Sequence, residues 1–282
     1  MDHSSKYSVK KMCHILEVSR SGFYAWCKRP KSKRKLENEK LSQEIIRVFK
    51  QSNEIYGAIK ITNKLRQEGI IGCSKNRVAR LMRQNNLRSK IKRKFKATTN
   101  SRHNYPVADN LLKQDFSAQR ANQVWVGDIT YISTKEGWLY LATVLDLYSR
   151  RIVGWAMDST MSKQLVIDAL NQAIGRRRPP KGVIFHSDRG SQYASHDFQN
   201  LLKKHHFVPS MSGKGNCYDN ACMESFFHLL KTELVYFQNY KTRAQAKQSI
   251  FQYIEIFYNR IRLHSKLGYI SPCDFEKLSL AA

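Results

Sequence analysis

Between residues 123 and 157 the chain sets down three apolar, strand-like runs in quick succession, and this stretch limits the possible folds more than any other. The runs are QVWVGDITYI (123–132), WLYLATVLDL (138–147) and IVGWAM (152–157). The pieces between them, TKEG and YSRR, are turn-rich and short enough for antiparallel neighbours, so the three are expected to form a meander. Helical spacing returns from about Ser162 to Arg176, with Leu165, Ala169 and Ala173 on one face. VIFHSD (183–188) then reads as a buried strand, and 196–205 as a helix. A short strand, FVPSMS, leads through the loop Gly213-Lys214-Gly215 to a further helix near 220–236.

Three acids stand out by placement. Asp128 interrupts the apolar run VWVGDITYI, where an uncompensated buried carboxylate would cost several kcal/mol. Asp188 ends the strand VIFHSD, at the strand-to-loop edge where sheets present ligand groups. Glu224 falls in the first turn or so of a helix capped by Asp219 or Asn220, whose positive end favours the ionised acid. Lys231 lies seven residues on and shares the Glu224 face, while Phe226, Phe227, Leu230 and Leu234 make the core face. Carboxylates converging at one end of a sheet suit a pair of hard divalent cations roughly 3.5–4 Å apart, the arrangement that drives phosphoryl transfer. Each acid alone also has an ordinary structural reading, and Asp146, at the end of the second strand, reads better as a turn residue than as a fourth ligand.

Charge points the same way. The chain of 282 residues carries 49 Lys and Arg against 22 Asp and Glu, a formal net charge of +27. The excess is uneven: 27 basic and 7 acidic residues lie within 1–103, against 22 and 15 in 104–282. A polyanionic partner is implied, and nucleic acid suits it better than a membrane surface, because no run approaches the roughly 20 apolar residues of a spanning helix. The N-terminus shows no signal peptide, so the protein is expected to stay in the cytoplasm. Six cysteines without CxxC spacing read as reduced thiols, not as a zinc site.

Two helical modules hold the basic excess. Residues 7–28 read as two short helices, either a helix-turn-helix or a plain hairpin, with Ser19 or Ser21 capping the second. After the run Lys28-Arg29-Pro30-Lys31-Ser32-Lys33-Arg34-Lys35, three helical stretches follow at about 40–88. The third, with Ser74 as N-cap, carries Lys75, Asn76, Arg77, Arg80 and Arg83. The segment after it adds Lys92, Arg93 and Lys94. Such a face suits a DNA groove, although a solvated helix face would look similar. A last helix starts at the capping box Thr242-x-x-Gln245 and sets Ile250, Tyr253, Ile254, Phe257 and Ile261 at helical spacing against the core.

The order βββαβαβα is a ribonuclease H-like layout, a mixed sheet with helices on its faces. Thirty-five residues separate Asp188 from Glu224, with Lys231 seven beyond. This pattern resembles the DDE signature of the retroviral-integrase superfamily. Within it the chain resembles the OrfB-type transposases of bacterial insertion sequences, through SVKKMCHILEVSRSGFYAW, YGAIKI with NRVARLM, NQVWVGDITYI, GWLYLATVLDLYSRRIVGW, HSDRGSQY, SGKGNCYDNACMESFFHLLKTE and YNRIRLHSKLGYISP.

The resemblance implies an α/β ribonuclease H-like integrase catalytic core preceded by all-α helix-turn-helix-like DNA-binding modules. The expected division is a helix-turn-helix-like basic N-terminal unit (1–35), a helical DNA-binding module (36–96), a linker (97–122), the catalytic core (123–240) and a C-terminal helix packing on it (241–282). It implies that Asp128, Asp188 and Glu224 bind two Mg²⁺ or Mn²⁺ ions and catalyse metal-dependent cleavage and strand transfer, with Lys231 touching the terminal DNA. The expected partners are DNA, as element ends and target, a further copy of the chain in a synaptic complex, and an upstream-frame protein or fusion. The expected location is the cytoplasm, with the nucleoid. An alternative is a DNA-binding regulator or subunit that needs the upstream-frame partner for activity.

Overall fold

The computed structural model describes residues 6–90, 107–213 and 217–281. Its centre is a five-stranded sheet of β1 (Val124–Thr134), β2 (Gly137–Asp146), β3 (Ile152–Asp158), β4 (Ile184–Ser187) and β5 (Val208–Met211), in the order β3-β2-β1-β4-β5. The first three pair antiparallel as the expected meander, while β4 and β5 run parallel to β1. The β1–β4 pairing is short, from Val124 opposite Ile184 to Val126 opposite His186. Beyond Val126, β1 keeps β2 on one side only, and the two parallel strands separate.

One face of the sheet is covered by α6 (Lys163–Arg177), α7 (Ser191–Ala194) and α8 (His196–Lys204), which bury Trp125, Val144, Val153 and Phe185 beneath them, with Phe198 of α8 in the same core. α6 sits so close to β3 that a Cβ on Gly154 would lie 2.3 Å from the Ala169 carbonyl oxygen. Glycine is the residue that permits this approach. The other face packs against α9 (Ala221–Glu233), α10 (Arg243–Phe251) and the segment after it, around Val126, Ile132, Leu141, Met223, Phe226, Leu230 and Ile254. α10 begins as expected: Thr242 Oγ1 accepts the Gln245 N–H, and Gln245 Oε1 accepts the Lys241 N–H.

The expected single long helix is not continuous. From Gln252 to Tyr258 it widens to a π-helix, then ends. The wider turn brings Asn259 onto β3, where its amide donates to the Ile152 carbonyl at 2.9 Å and accepts the Ile152 N–H at 3.0 Å. Ile250, Tyr253, Ile254 and Phe257 are buried as expected, but Ile261 is 44% exposed because the helical register is lost before it is reached. A further helix, α11 (Pro272–Ala281), has no counterpart in the sequence reading.

Towards the N-terminus lie α1 (Val9–Ile15) and α2 (Arg20–Lys28), the latter capped by Ser19, whose Oγ accepts the Gly22 N–H. Ile15, Leu16 and Trp26 are exposed, not buried in the hairpin. α3 (Lys33–Gln51), α4 (Ala58–Gln67) and α5 (Lys75–Gln84) form a three-helix unit around Ile45, Ile61, Leu65 and Val78. α3 starts at Lys33, so the expected boundary after residue 35 falls inside its first turn. Ser32 is its cap, accepting the Lys35 N–H.

The helical unit is attached to the C-terminal part of the chain. The Tyr56 hydroxyl donates to the Ile261 carbonyl at 3.1 Å and accepts the Leu263 N–H at 2.8 Å, and Gln67 donates to the Tyr269 carbonyl at 2.8 Å. Residues 107–122, expected as linker, are irregular but anchored. Leu112 is buried, and Asn110 donates to Asp219.

Candidate active site

Asp128, on β1, and Asp188, just past the end of the neighbouring parallel strand β4, each lie two residues beyond the last registered pair, Val126 and His186. Side chains alternate along a strand, so both carboxylates share the sheet face of Val126, the face that α9 covers. They sit where β1 and β4 part, and the gap between separating strands is where open sheets admit ligands. The Ile129 N–H donates to Asp128 Oδ1 at 2.7 Å, and the Gly190 N–H to Asp188 Oδ1 at 2.9 Å. A Cβ on Gly190 would lie 3.0 Å from that same oxygen.

Burial pushes the Asp128 carboxyl well above the usual carboxylate range; the charges of Asp188 and then Glu224 add to this, and the Lys231 ammonium opposes it. All four groups therefore share one electrostatic neighbourhood. Glu224 lies in the first turn of α9, exposed, and partial burial raises its carboxyl too. Its helix is preceded by a short 3-10 turn and Asn220, whose side chain makes no capping bond; Asp219 instead accepts the Gly213 N–H at 2.7 Å. Lys231 is half-buried with its ammonium 5.0 Å from the centre of the Tyr131 ring. Burial lowers its pKa, with Tyr131 and Asp128 opposing. Among the described residues no group of three His, Cys, Asp or Glu side chains is drawn close enough to hold one metal ion. The aspartates are the convergent part of the site, and Glu224 stands further off.

Several neighbours have no counterpart in the sequence reading. Tyr193, buried in α7 on the opposite face of the sheet, has its hydroxyl pKa pushed far up by burial and by the charges of Asp128 and Asp188, so it flanks the pair. Its only signal was its place in HSDRGSQY, where an aromatic residue reads as core. Arg150, in the turn between β2 and β3, adopts a positive φ of 60° and is buried. Its guanidinium meets Cys222 at the start of α9 and the Phe116 carbonyl. His186 is held between Ser210 and Ser212, and burial lowers it to about 4, which keeps the imidazole neutral. Asp146 is not part of the carboxylate group. Fully buried, it accepts the Asn122 and Tyr148 N–H groups and pairs with Arg177, which also binds Glu276.

The basic helix divides. Lys75, Asn76, Arg80 and Arg83 are exposed on α5. Arg77 is turned inward, bonding Asn38 at 2.9 Å, Glu37 at 3.3 Å and the Gly72 carbonyl, so the structure assigns it to holding α5 on α3. Lys92, Arg93 and Lys94 lie outside the described residues.

Family models match in three places: an integrase core domain at 118–217, an HTH-like domain at 35–95 and a second integrase core model at 224–280. Over 281 residues, 99% of this chain and 97% of the other, the sequence is 47% identical to the transposase InsF for insertion sequence IS3A of Escherichia coli strain K12. The chain belongs to the insertion-sequence transposase family. It is 48% identical over 94% of its length, and 97% of the relative's, to a 31 kDa protein of insertion element IS600 of Shigella sonnei. A chain in the cryo-EM structure of the simian T-cell lymphotropic virus intasome in complex with PP2A regulatory subunit B56 gamma aligns at 16% identity, covering 82% of this chain and 74% of that one, with a TM-score of 0.49. As a transposase of this family the protein is an integrase-type polynucleotidyl transferase with a ribonuclease H-like core, preceded by an HTH-like helical region. Nothing in these matches favours the reading of the chain as a regulator. Among the described residues no helix is long and apolar enough to cross a membrane.

Proposed function

We propose that Asp128, Asp188 and Glu224 are the catalytic carboxylates of this transposase and that they hold divalent metal. The observation that carries this is the matched placement of the two aspartates beyond the Val126–His186 pair, which sets two carboxylates against each other under α9. Their mutual repulsion suits a hard cation. Mg²⁺ or Mn²⁺, as two ions, fits such oxygen donors, with Glu224 completing the set from α9. Bound there, the metal supplies charge stabilisation at the attacking and leaving oxygens of a phosphodiester.

Lys231 reaches the same place and balances the phosphate next to the one that reacts. Hydrolysis at an element end frees a 3′-OH, which attacks a phosphodiester of a second strand. No covalent link to the protein is formed. The exposed Lys75, Asn76, Arg80 and Arg83 of α5 lie in a DNA groove, and Lys92, Arg93 and Lys94 extend the contact. The catalytic core spans 123–240, the DNA-binding modules 1–35 and 36–96, the linker 97–122 and the core-packing C-terminal segment 241–282. Two DNA ends require at least two copies of the chain, and the exposed Ile15, Leu16 and Trp26 offer a surface for an upstream-frame protein or fusion. The protein works on DNA in the cytoplasm, at the nucleoid.

The test is joining of element-end oligonucleotides by the purified chain, alone and fused to its upstream partner, with Mg²⁺ or Mn²⁺. Asp128→Asn, Asp188→Asn and Glu224→Gln are each expected to abolish joining while leaving DNA affinity near wild type. Wild-type joining by any of them would remove that residue from the site.

A further inference from the structure

We propose that Tyr131 and Trp138, beside Lys231, form a stacking site for an unpaired nucleobase near the end of the DNA strand being joined. This rests on the reading of Asp128 and Asp188 as the reacting centre.

The site is built on the β1–β2 hairpin. Trp138 lies opposite Ser133 across the hairpin and is 49% exposed. Its ring meets Tyr131 edge to face, with centroids 4.9 Å apart and planes at 85°. A large indole is thus held at a fixed angle while one side of it remains open to water. The Tyr131 ring also faces cationic charge: the Lys231 ammonium is 5.0 Å from its centroid. Burial, and then the charge of Tyr131, raise the pKa of Tyr236, which places it in the same electrostatic neighbourhood.

Position gives the rings a role. Lys231 is electrostatically coupled to Asp128 as well as to Tyr131, which links the aromatic group to the carboxylates. Beyond Val126, β1 has no β4 residue paired with it on that side. Three residues of strand from Asp128 to Tyr131 span roughly 10 Å at 3.3 Å each, about three stacked nucleotides at 3.4 Å each along one strand; the two side chains leave β1 on opposite faces, and Lys231, near both, marks the path across the β1 edge from one to the other. A DNA strand with its reacting phosphate at the aspartates therefore reaches the rings within a few nucleotides. The ammonium pairs with its backbone, and an aromatic face accepts any base, provided the base has left its duplex partner. A base still paired in a duplex has both faces covered by its neighbours and gains nothing from the indole. The occupant is for this reason an unpaired base, and selection among the four bases is expected to be weak.

The experiment is equilibrium binding of the full-length protein to element-end duplexes in which one nucleotide at a time is made abasic, in buffer without divalent metal. Trp138→Ala is expected to weaken binding of the intact end by about 5- to 150-fold, the range of one base–aromatic stack. At one position within about three nucleotides of the joined end, the abasic substitution is expected to weaken the wild type and to erase the difference between wild type and Trp138→Ala. Trp138→Phe, which keeps a ring, is expected to recover most of the affinity. Losses that simply multiply at every position, or a Trp138→Phe protein indistinguishable from Trp138→Ala, would overturn the proposal. Because this cycle reads binding without chemistry, it stays separate from the joining assay: full joining by Asp128→Asn would refute the catalytic reading while leaving the stacking result to be judged independently.

Discussion

The last residue of α9 offers the sharpest test of how the molecule is held together. Glu233 ends α9 and is paired with Arg262, with side-chain exposures of 5% and 6%. The guanidinium donates through Nε to both carboxylate oxygens, at 3.1 and 2.8 Å, and through Nη2 to Oε1 at 2.6 Å; the Tyr253 hydroxyl adds a bond at 2.7 Å. The pairing pulls the Glu233 carboxyl below its usual range despite burial. Arg262→Met leaves that carboxylate buried with Tyr253 and the more distant Lys60, and losing one partner of such a pair costs about 3–5 kcal/mol.

With a urea m-value of about 2–3 kcal/mol/M, this lowers the unfolding midpoint by about 1–2.5 M. Glu233→Gln combined with Arg262→Met removes both charges while Gln still accepts from Tyr253. The double variant is expected to regain at least about 2 kcal/mol over the sum of the single losses. Urea titrations of the four proteins, followed by tryptophan emission and far-ultraviolet dichroism, give the cycle. Additive losses, or a single-variant loss below about 1 kcal/mol, would show that the pair is not what fixes the end of α9 to the C-terminal segment.

Four further expectations follow from the same structure. Burial lowers Lys60 to about 8 from 10.5, so between those values the unfolded chain binds more protons than the folded one. Stability should rise with pH across that window, and Lys60→Gln, measured by urea midpoints from pH 7.5 to 10, should flatten the rise. Asp128 is raised in the folded state, so its contribution is favourable at low pH and lost as pH rises through the folded value. In metal-free buffer Asp128→Asn should melt higher than wild type at pH 7, with the gain vanishing below the ordinary carboxylate range; a lower melting temperature at pH 7 would contradict the crowding of the two acids.

Gly154→Ala should destabilise by about 1–3 kcal/mol, or more, through the contact with Ala169. Gly175→Ala, in the same α6 with nothing within 4 Å, should be neutral or stabilise by about 0.5–1 kcal/mol, both read from denaturant curves. Arg80→Ala should reduce the slope of log affinity for DNA against log salt by about 0.9, the value for one phosphate contact, whereas an unchanged slope would return Arg80 to solvent.

Much of the architecture was readable because it follows local periodicity. The three strands and their turns, the caps at Ser74 and Thr242, and the α6 face of Leu165, Ala169 and Ala173 all depend on residues within a few positions of each other. What failed was reading local spacing as a guide to distant contacts. Arg77 sits among the exposed cations of α5, but Glu37 and Asn38, some forty residues away in sequence, claim it. Ile261 has the right spacing for the core, yet the π-helix that puts Asn259 on β3 ends the register before it. Ile15 and Leu16, apolar residues at the end of α1, are exposed.

The carboxylates divide along the same line. An acid inside an apolar strand, a second at a strand end and a third at a helix start mark themselves in the sequence, since burying or ending an element on a charge needs a reason. The meeting of the two aspartates is a tertiary fact. It depends on β4 pairing parallel to β1 with Val126 opposite His186, and a shift of one residue would turn the two aspartates to opposite faces of the sheet. Asp146, read from the sequence as a turn residue, does accept turn N–H groups and pairs with Arg177. Tyr193 and Arg150 enter the surroundings of the site only because α7 lies over the sheet and the β2–β3 turn reaches α9. The residue types for metal-dependent chemistry are thus written locally, while strand register and helix docking, which no local pattern encodes, select the acids that can act together.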